Sequence, residues 1–193
     1  MERFRLQMDL QNPQWETALI FSKVNLLYFT GSMPEGLLLI TRGGDATLWV
    51  KRSLERTLNE SLFSDIRPME SYRDVAAAYP AFTGNVYLET EFVPLAMFQR
   101  LQKSFPFSGV QSLDSQIGQI RSVKSEWEMR FMEEAGIIHR RVMEERVPQL
   151  LREGMTELEF AGEVYKVMLD IEPVLHAQRE ELLLAEAAGQ IAL

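Results

Sequence analysis

Hydrophobic positions along the chain follow two regimes. Up to about Leu113, short apolar runs of strand length alternate with helix-length segments. From Ser125 onward the apolar spacing settles to about 3.6 residues. In the first regime Thr17–Phe21 (TALIF) is a continuous apolar run, the mark of a strand buried on both faces. Leu37–Thr41 and Ala46–Val50 are strands separated by Arg42-Gly43-Gly44-Asp45. Two glycines able to take positive φ at that spacing predict a hairpin. Asp65–Met69, Asn85–Glu89 (NVYLE) and Ser108–Leu113 are further strand candidates. Residues 2–12, Ser53–Leu62, Ser71–Tyr79 and a segment from Pro94 to about Lys103 predict helices. A proline at a first helical position loses nothing, because that N–H would be unpaired anyway. Val24–Gly31 reads as a short helix or a loop. Strands alternating with short helices predict an α/β fold, a mixed or parallel sheet with helices on its faces.

The second regime opens with two helix starts of one design. Ser125-Glu126-Trp127-Glu128 and Thr156-Glu157-Leu158-Glu159 both read S/T-x-x-E, in which the hydroxyl and the glutamate each satisfy a backbone N–H of the first turn. Trp127, Phe131, Ala135, Ile138 and Val142 form one apolar stripe, and Pro148 is expected to kink or end that helix near Val147. The second helix, from Glu157 to about Asp170, is expected to present Leu158, Ala161, Tyr165 and Met168. Residues 171–193 predict a third helix, between Pro173 and Gly189.

Composition narrows the function classes. The 193 residues are 46% hydrophobic and 25% charged, an ordinary globular balance. Twenty Lys and Arg against 28 Asp and Glu leave a net charge of −8. That balance argues against general nucleic-acid binding, which needs cations to displace phosphate counterions. With no cysteine there is neither a disulfide framework nor thiolate chemistry. No apolar run approaches the ~18 residues of a membrane span, and the charged start MERFRLQMDLQ lacks a signal-peptide core. A cytoplasmic protein is expected.

Three segments carry a resemblance to a known family. They are Asn25-Leu26-Leu27-Tyr28-Phe29-Thr30-Gly31, the stretch Ile120-Arg121-Ser122-Val123-Lys124-Ser125-Glu126-Trp127-Glu128 with Ala135-Gly136 downstream, and Gly154-Met155-Thr156-Glu157-Leu158-Glu159. In this order they resemble the creatinase/prolidase/Xaa-Pro aminopeptidase (pita-bread metallopeptidase) family. The resemblance implies an N-terminal α/β domain with a ribonuclease H-like motif over residues 1–119. It further implies the first two helices of a catalytic domain over 120–170, and leaves 171–193 as an unrelated tail. In the family two Asp, one His and two Glu hold two divalent metals, Mn, Co or Zn, that activate a hydroxide for amide hydrolysis. None of these ligands carries over to a position here, so no catalytic and no metal residue is expected in this chain.

Two readings follow from the resemblance. One is a truncated peptidase-like protein, non-catalytic by itself, acting at most in dimerisation or substrate-end contacts. The other is a subunit whose metal site comes from a separate C-terminal half or a full-length partner, with a peptide as substrate.

The resemblance implies that the segment holding Asn25 and Tyr28 can approach the substrate's N-terminal side, sometimes across a dimer, which makes these two the substrate-contact candidates. The competing reading has Tyr28 packed in the domain core and Asn25 capping a turn. His139 has Ala135 and Met143 at i±4 and reads as a helix-surface histidine; His176 and Glu180 have i,i+4 spacing but no third ligand. Left uncovered, Trp127, Phe131, Tyr165 and Met168 forfeit ~1.5–3 kcal/mol each, so a homodimer or a tail folded over the helices is expected.

Overall fold

The computed structural model describes residues 1–79, 84–105 and 107–169; the expected tail helix and the His176–Glu180 pair lie outside them. The chain divides into two units, Met1–Val123 and the part from Lys124 onward.

The first unit is built on a six-stranded sheet. Its strands are β1 (Thr17–Ile20), β2 (Glu35–Thr41), β3 (Ala46–Arg52), β4 (Ile66–Pro68), β5 (Asn85–Leu88) and β6 (Gly109–Ser112), in the spatial order β4-β3-β2-β1-β5-β6. β2 pairs antiparallel with both β1 and β3, while β3–β4, β1–β5 and β5–β6 are parallel; β2 alone therefore runs against the rest. The mixed sheet expected from the sequence is the sheet observed.

Strand periodicity sorts the apolar side chains onto two faces. Ala18, Ile20, Leu38, Ile40, Leu48, Val50 and Tyr87 point into one core, and Leu19, Phe21, Leu37, Leu39, Trp49, Val86 and Leu88 into the other. Helices α1 (Glu2–Gln11), α2 (Lys23–Thr30) and α6 (Asp114–Ser122) cover the first face with Phe4, Met8, Leu26, Ile117 and Ile120. On the second face α4 (Tyr72–Ala78) and α5 (Leu95–Gln102) contribute Val75 and Leu101. The remaining helix, α3 (Leu54–Glu60), leans Leu54 on the first core. A strand covered on both faces reads as an unbroken apolar run, which is why TALIF shows no polar alternation.

Two glycines are dictated by geometry. Gly31 ends α2 in the left-handed region at φ 77°, and its N–H closes the helix on the Leu27 carbonyl. Gly36 sits where the β2–β3 register shifts, and a Cβ there would lie 2.0 Å from the Trp49 carbonyl oxygen.

The second unit begins with α7 (Glu126–Arg141) and continues through a π-helical turn (Val142–Arg146) into α8 (Val147–Leu150). Helix α9 follows over residues 157–169. Both predicted capping boxes are present. Ser125 Oγ accepts from the Glu128 N–H (3.2 Å) while Glu128 Oε2 accepts from the Ser125 N–H (2.8 Å). Thr156 and Glu159 repeat the pattern at 3.2 and 2.9 Å.

Pro148 is expected to kink or end the helix near Val147, and at this place the regular α ladder gives way. A proline ring clashes with the carbonyl four residues back in an ordinary i→i−4 ladder. The chain instead widens before it, so that the Val147 N–H reaches the Val142 carbonyl five residues back. The stripe on α9 differs from expectation except at Met168. Leu158 and Tyr165 are 83% and 66% exposed, whereas Phe160, Val164, Val167 and Met168 are half-buried.

Candidate functional site

In an open α/β sheet the carboxyl ends of the parallel strands, where neighbouring connections diverge, form the usual ligand-facing edge. Here that edge lies at the ends of β1 and β5. From β1 the chain passes through Phe21 and Ser22 into α2, and from β5 through Glu89 towards α5. β1 also marks the change of pairing, antiparallel to β2 on one side and parallel to β5 on the other.

Glu89 occupies this junction and is only 1% exposed. A buried carboxylate is unfavourable unless its oxygens are supplied with donors, and the fold supplies them. Oε2 accepts the Phe21 N–H at 2.5 Å and the Ser22 N–H at 2.8 Å, at the entrance to α2. The positive end of that helix's peptide dipoles favours the same charge. Oε1 accepts from Asn25 Nδ2 at 2.5 Å. Asn25 turns its other end to Arg121, whose Nη1 donates to Oδ1 at 3.0 Å. Carboxylate, amide and guanidinium thus form one line from the end of β5 across α2 to the last turn of α6.

That last turn is held a second time. Arg3 Nη2 donates to the Val123 carbonyl at 3.1 Å and to the Ile120 carbonyl at 3.4 Å, filling acceptors that a helix end leaves open. At the start of α6, Asp114 Oδ2 accepts from the Thr90 and Ser112 hydroxyls, both at 2.8 Å, and binds the loop after β5 to the helix.

Of the two sequence candidates, Asn25 lies within this line with both ends of its amide engaged. Tyr28 stands one turn along α2, half-buried against the first core, with its ring 5.2 Å from that of Phe29 in an edge-on arrangement. The helix therefore places the two side by side. Sequence reasoning misses Glu89 and Arg121 as members of the site. Glu89 ends an apolar strand, and only the adjacency of β1 and β5, separated by more than sixty residues of chain, reveals its partners.

A shallow concavity of about 580 Å³ lies at the opposite ends of β1, β5 and β6, bordered by Glu16, Arg42, Asn85 and Ser108. Arg42 there is tied to Asp9 at 3.0 Å. Among the described residues no three His, Cys, Asp or Glu side chains come together as metal ligands. The described residues thus offer no donor set that fits a two-metal centre. His139 is exposed on α7.

A family model described as the Creatinase/Prolidase N-terminal domain matches residues 2–123. An uncharacterized peptidase of Staphylococcus aureus is 27% identical over 162 residues, 81% of this chain and 46% of its own length. The chain thus spans about half the length of the curated relatives it matches. Among solved structures, the prolidase of Pyrococcus horikoshii superposes with a TM-score of 0.73 at 24% identity, over 86% of this chain and 47% of its own. The Creatinase/Prolidase N-terminal domain of an X-Pro dipeptidase from Streptococcus pyogenes superposes with a TM-score of 0.52 at 16% identity. It covers 61% of this chain and 97% of that one. These likenesses show the fold. Among the described residues no helix is long and apolar enough to cross a membrane.

Proposed function

The chain belongs to the creatinase/prolidase N-terminal domain family, and from that premise we propose that it serves a prolidase-like peptidase as its non-hydrolytic module. In this reading the module contributes assembly and contacts to the substrate's N-terminal end, while hydrolysis belongs to a divalent-metal centre formed by other residues. The observation that carries the reading is the pairing of a family match over residues 2–123 with the lack of any metal-ligand grouping among the described residues. Asn25 and Tyr28 are the proposed contacts, supported by their place on α2 beside the carboxyl ends of β1 and β5.

Self-association is the second half of the proposal. Support comes from the second unit, where Met132, Ile137 and Tyr165 are 53%, 52% and 66% exposed. Covering side chains of this size stabilises by about 1.5–3 kcal/mol each, and a second copy supplies such a surface. The purified chain is expected to show no turnover of Xaa-Pro dipeptides with added Mn²⁺ or Co²⁺, and a light-scattering mass twice that of one chain. Turnover that tracks this chain through purification overturns the non-hydrolytic reading, and a single-chain mass overturns the dimer.

One observation favours a second reading. The relatives and the Pyrococcus horikoshii prolidase structure extend over roughly twice the matched length. A region bearing the metal ligands, on the same polypeptide or a partner, would make this module part of a working Xaa-Pro peptidase. Activity that appears only when such a region is added selects this reading.

A further inference from the structure

The line Glu89–Asn25–Arg121 obeys a strict donor–acceptor logic. A carboxylate only accepts and a guanidinium only donates. An asparagine between them has one permitted orientation, Nδ2 toward Glu89 and Oδ1 toward Arg121, and that is the orientation observed at 2.5 and 3.0 Å. We propose that Glu89 is a positioning residue that, through the Asn25 amide, sets Arg121 and thereby fastens the last turn of α6 and the chain's exit from the first unit at Val123. The inference goes beyond the proposed function and holds whether or not Asn25 meets a substrate.

Three features of the fold support it. Glu89 is buried, so its charge cannot turn to water and its acceptor pattern is fixed. Its other oxygen is pinned by the Phe21 and Ser22 N–H groups, which leaves Oε1 no alternative direction. The far end of the line falls on Arg121, two residues before Val123, where the Arg3 contacts close the same helix end. The carboxyl edge of the sheet and the exit of the unit are therefore mechanically one structure.

Chemistry provides a test that size or burial alone would not satisfy. In Glu89→Gln the new amide keeps its oxygen on the two backbone N–H groups and turns its NH₂ toward Asn25. Asn25 must then rotate to accept, which points its own NH₂ at the Arg121 guanidinium, donor against donor. In Asn25→Asp two carboxylates face each other in a buried site. The double variant Glu89→Gln/Asn25→Asp restores every pairing with the charge moved one residue along. The amide introduced at position 89 donates its NH₂ to the carboxylate introduced at position 25, and that carboxylate accepts from Arg121.

The experiment is limited trypsin digestion of the full chain, following cleavage after Arg121 and Lys124 relative to cleavage after Arg42 in the β2–β3 loop. Each single variant is expected to raise relative cleavage at the exit at least about tenfold, since proteolysis follows the population of the locally opened form. The double variant is expected to return to within about threefold of the parent. A double variant no better protected than the product of its singles overturns the proposal, as do singles whose exit cleavage matches the parent. Should a single variant fail to fold, recovery of a folded, exit-protected double variant supports the line, and a double variant that also fails refutes it.

Discussion

The two units of this chain are stabilised by different means. In the first, Leu19, Ile20 and Leu37 to Ile40 are at most 1% exposed on a sheet covered on both faces. Among the described residues of the second, only Val142 and Val147 are buried. What defines the second unit locally is helix-end chemistry, two capping boxes and a proline-accommodating turn. The difference teaches that a well-formed helix is not evidence of a core: S-x-x-E sets where a helix begins irrespective of what, if anything, lies against its apolar side.

Substitutions can press on this contrast. The largest effect is expected in the sheet. Leu39→Ala should lower the stability of the first unit by about 2–5 kcal/mol, the range for emptying a close-packed site, read as a shift in the urea midpoint. Leu158→Ala, at 83% exposure in α9, should stay within about 0.5 kcal/mol by the same measurement. Equal losses at the two sites would erase the distinction.

Smaller, and confined to the second unit, is the effect of Ser125→Ala. Losing the cap should cost about 0.5–2 kcal/mol of helix stability, visible as faster hydrogen exchange at the Glu128 amide with the urea midpoint of the first unit unmoved. Protection unchanged at Glu128 would mean that something other than the box sets the start of α7.

Smallest is a pH effect at α9. The Thr156 N–H and then its hydroxyl hold the Glu159 carboxyl below the ordinary glutamate range. A pKa lower in the folded than in the unfolded state contributes stability that is present above the ordinary value and is lost as pH falls through the depressed one. The carboxyl-carbon NMR titration of Glu159 should therefore have its midpoint below that of an unstructured glutamate, and α9 should begin to fray only under more acid conditions. A midpoint at or above the ordinary value would remove the box from solution.

Much of the first unit is legible in the sequence. TALIF, the Arg42–Asp45 hairpin and the Ser71 box appear as β1, the β2–β3 connection and α4 with its Asp74 partner. Helix α6 is not. Leu113, Ile117 and Ile120 have the i, i+4, i+7 spacing of a helix buried on one side, but the strand-like GVQS before it and the Arg121 segment after it mask so short a signal. On α9 the expected stripe holds at Met168 but not at Leu158 and Tyr165, because periodicity locates an apolar stripe only when one stripe dominates. Leu158, Ala161, Tyr165 and Phe160, Val164, Val167 fit the period equally well. At the candidate site Asn25 is legible as a residue, but its role in the line to Glu89 and Arg121 is not. That role is a product of strand order, and local spacing does not encode which strands become neighbours.

The π-helical turn before Pro148 carries a consequence for counting. A π turn is an α-helix with one residue too many, so positions beyond Arg146 are out of phase with those before Val142. Val142 and Val147, five apart, would lie about 140° from each other on a regular helix, yet these are the two buried residues of the segment. Any heptad or helical-wheel frame carried across residues 142–146 therefore mislabels every later side chain by one position. Chains differing by a single-residue deletion there can share the same buried side, and an alignment gap at that place marks a change of helical phase with no loop to account for it.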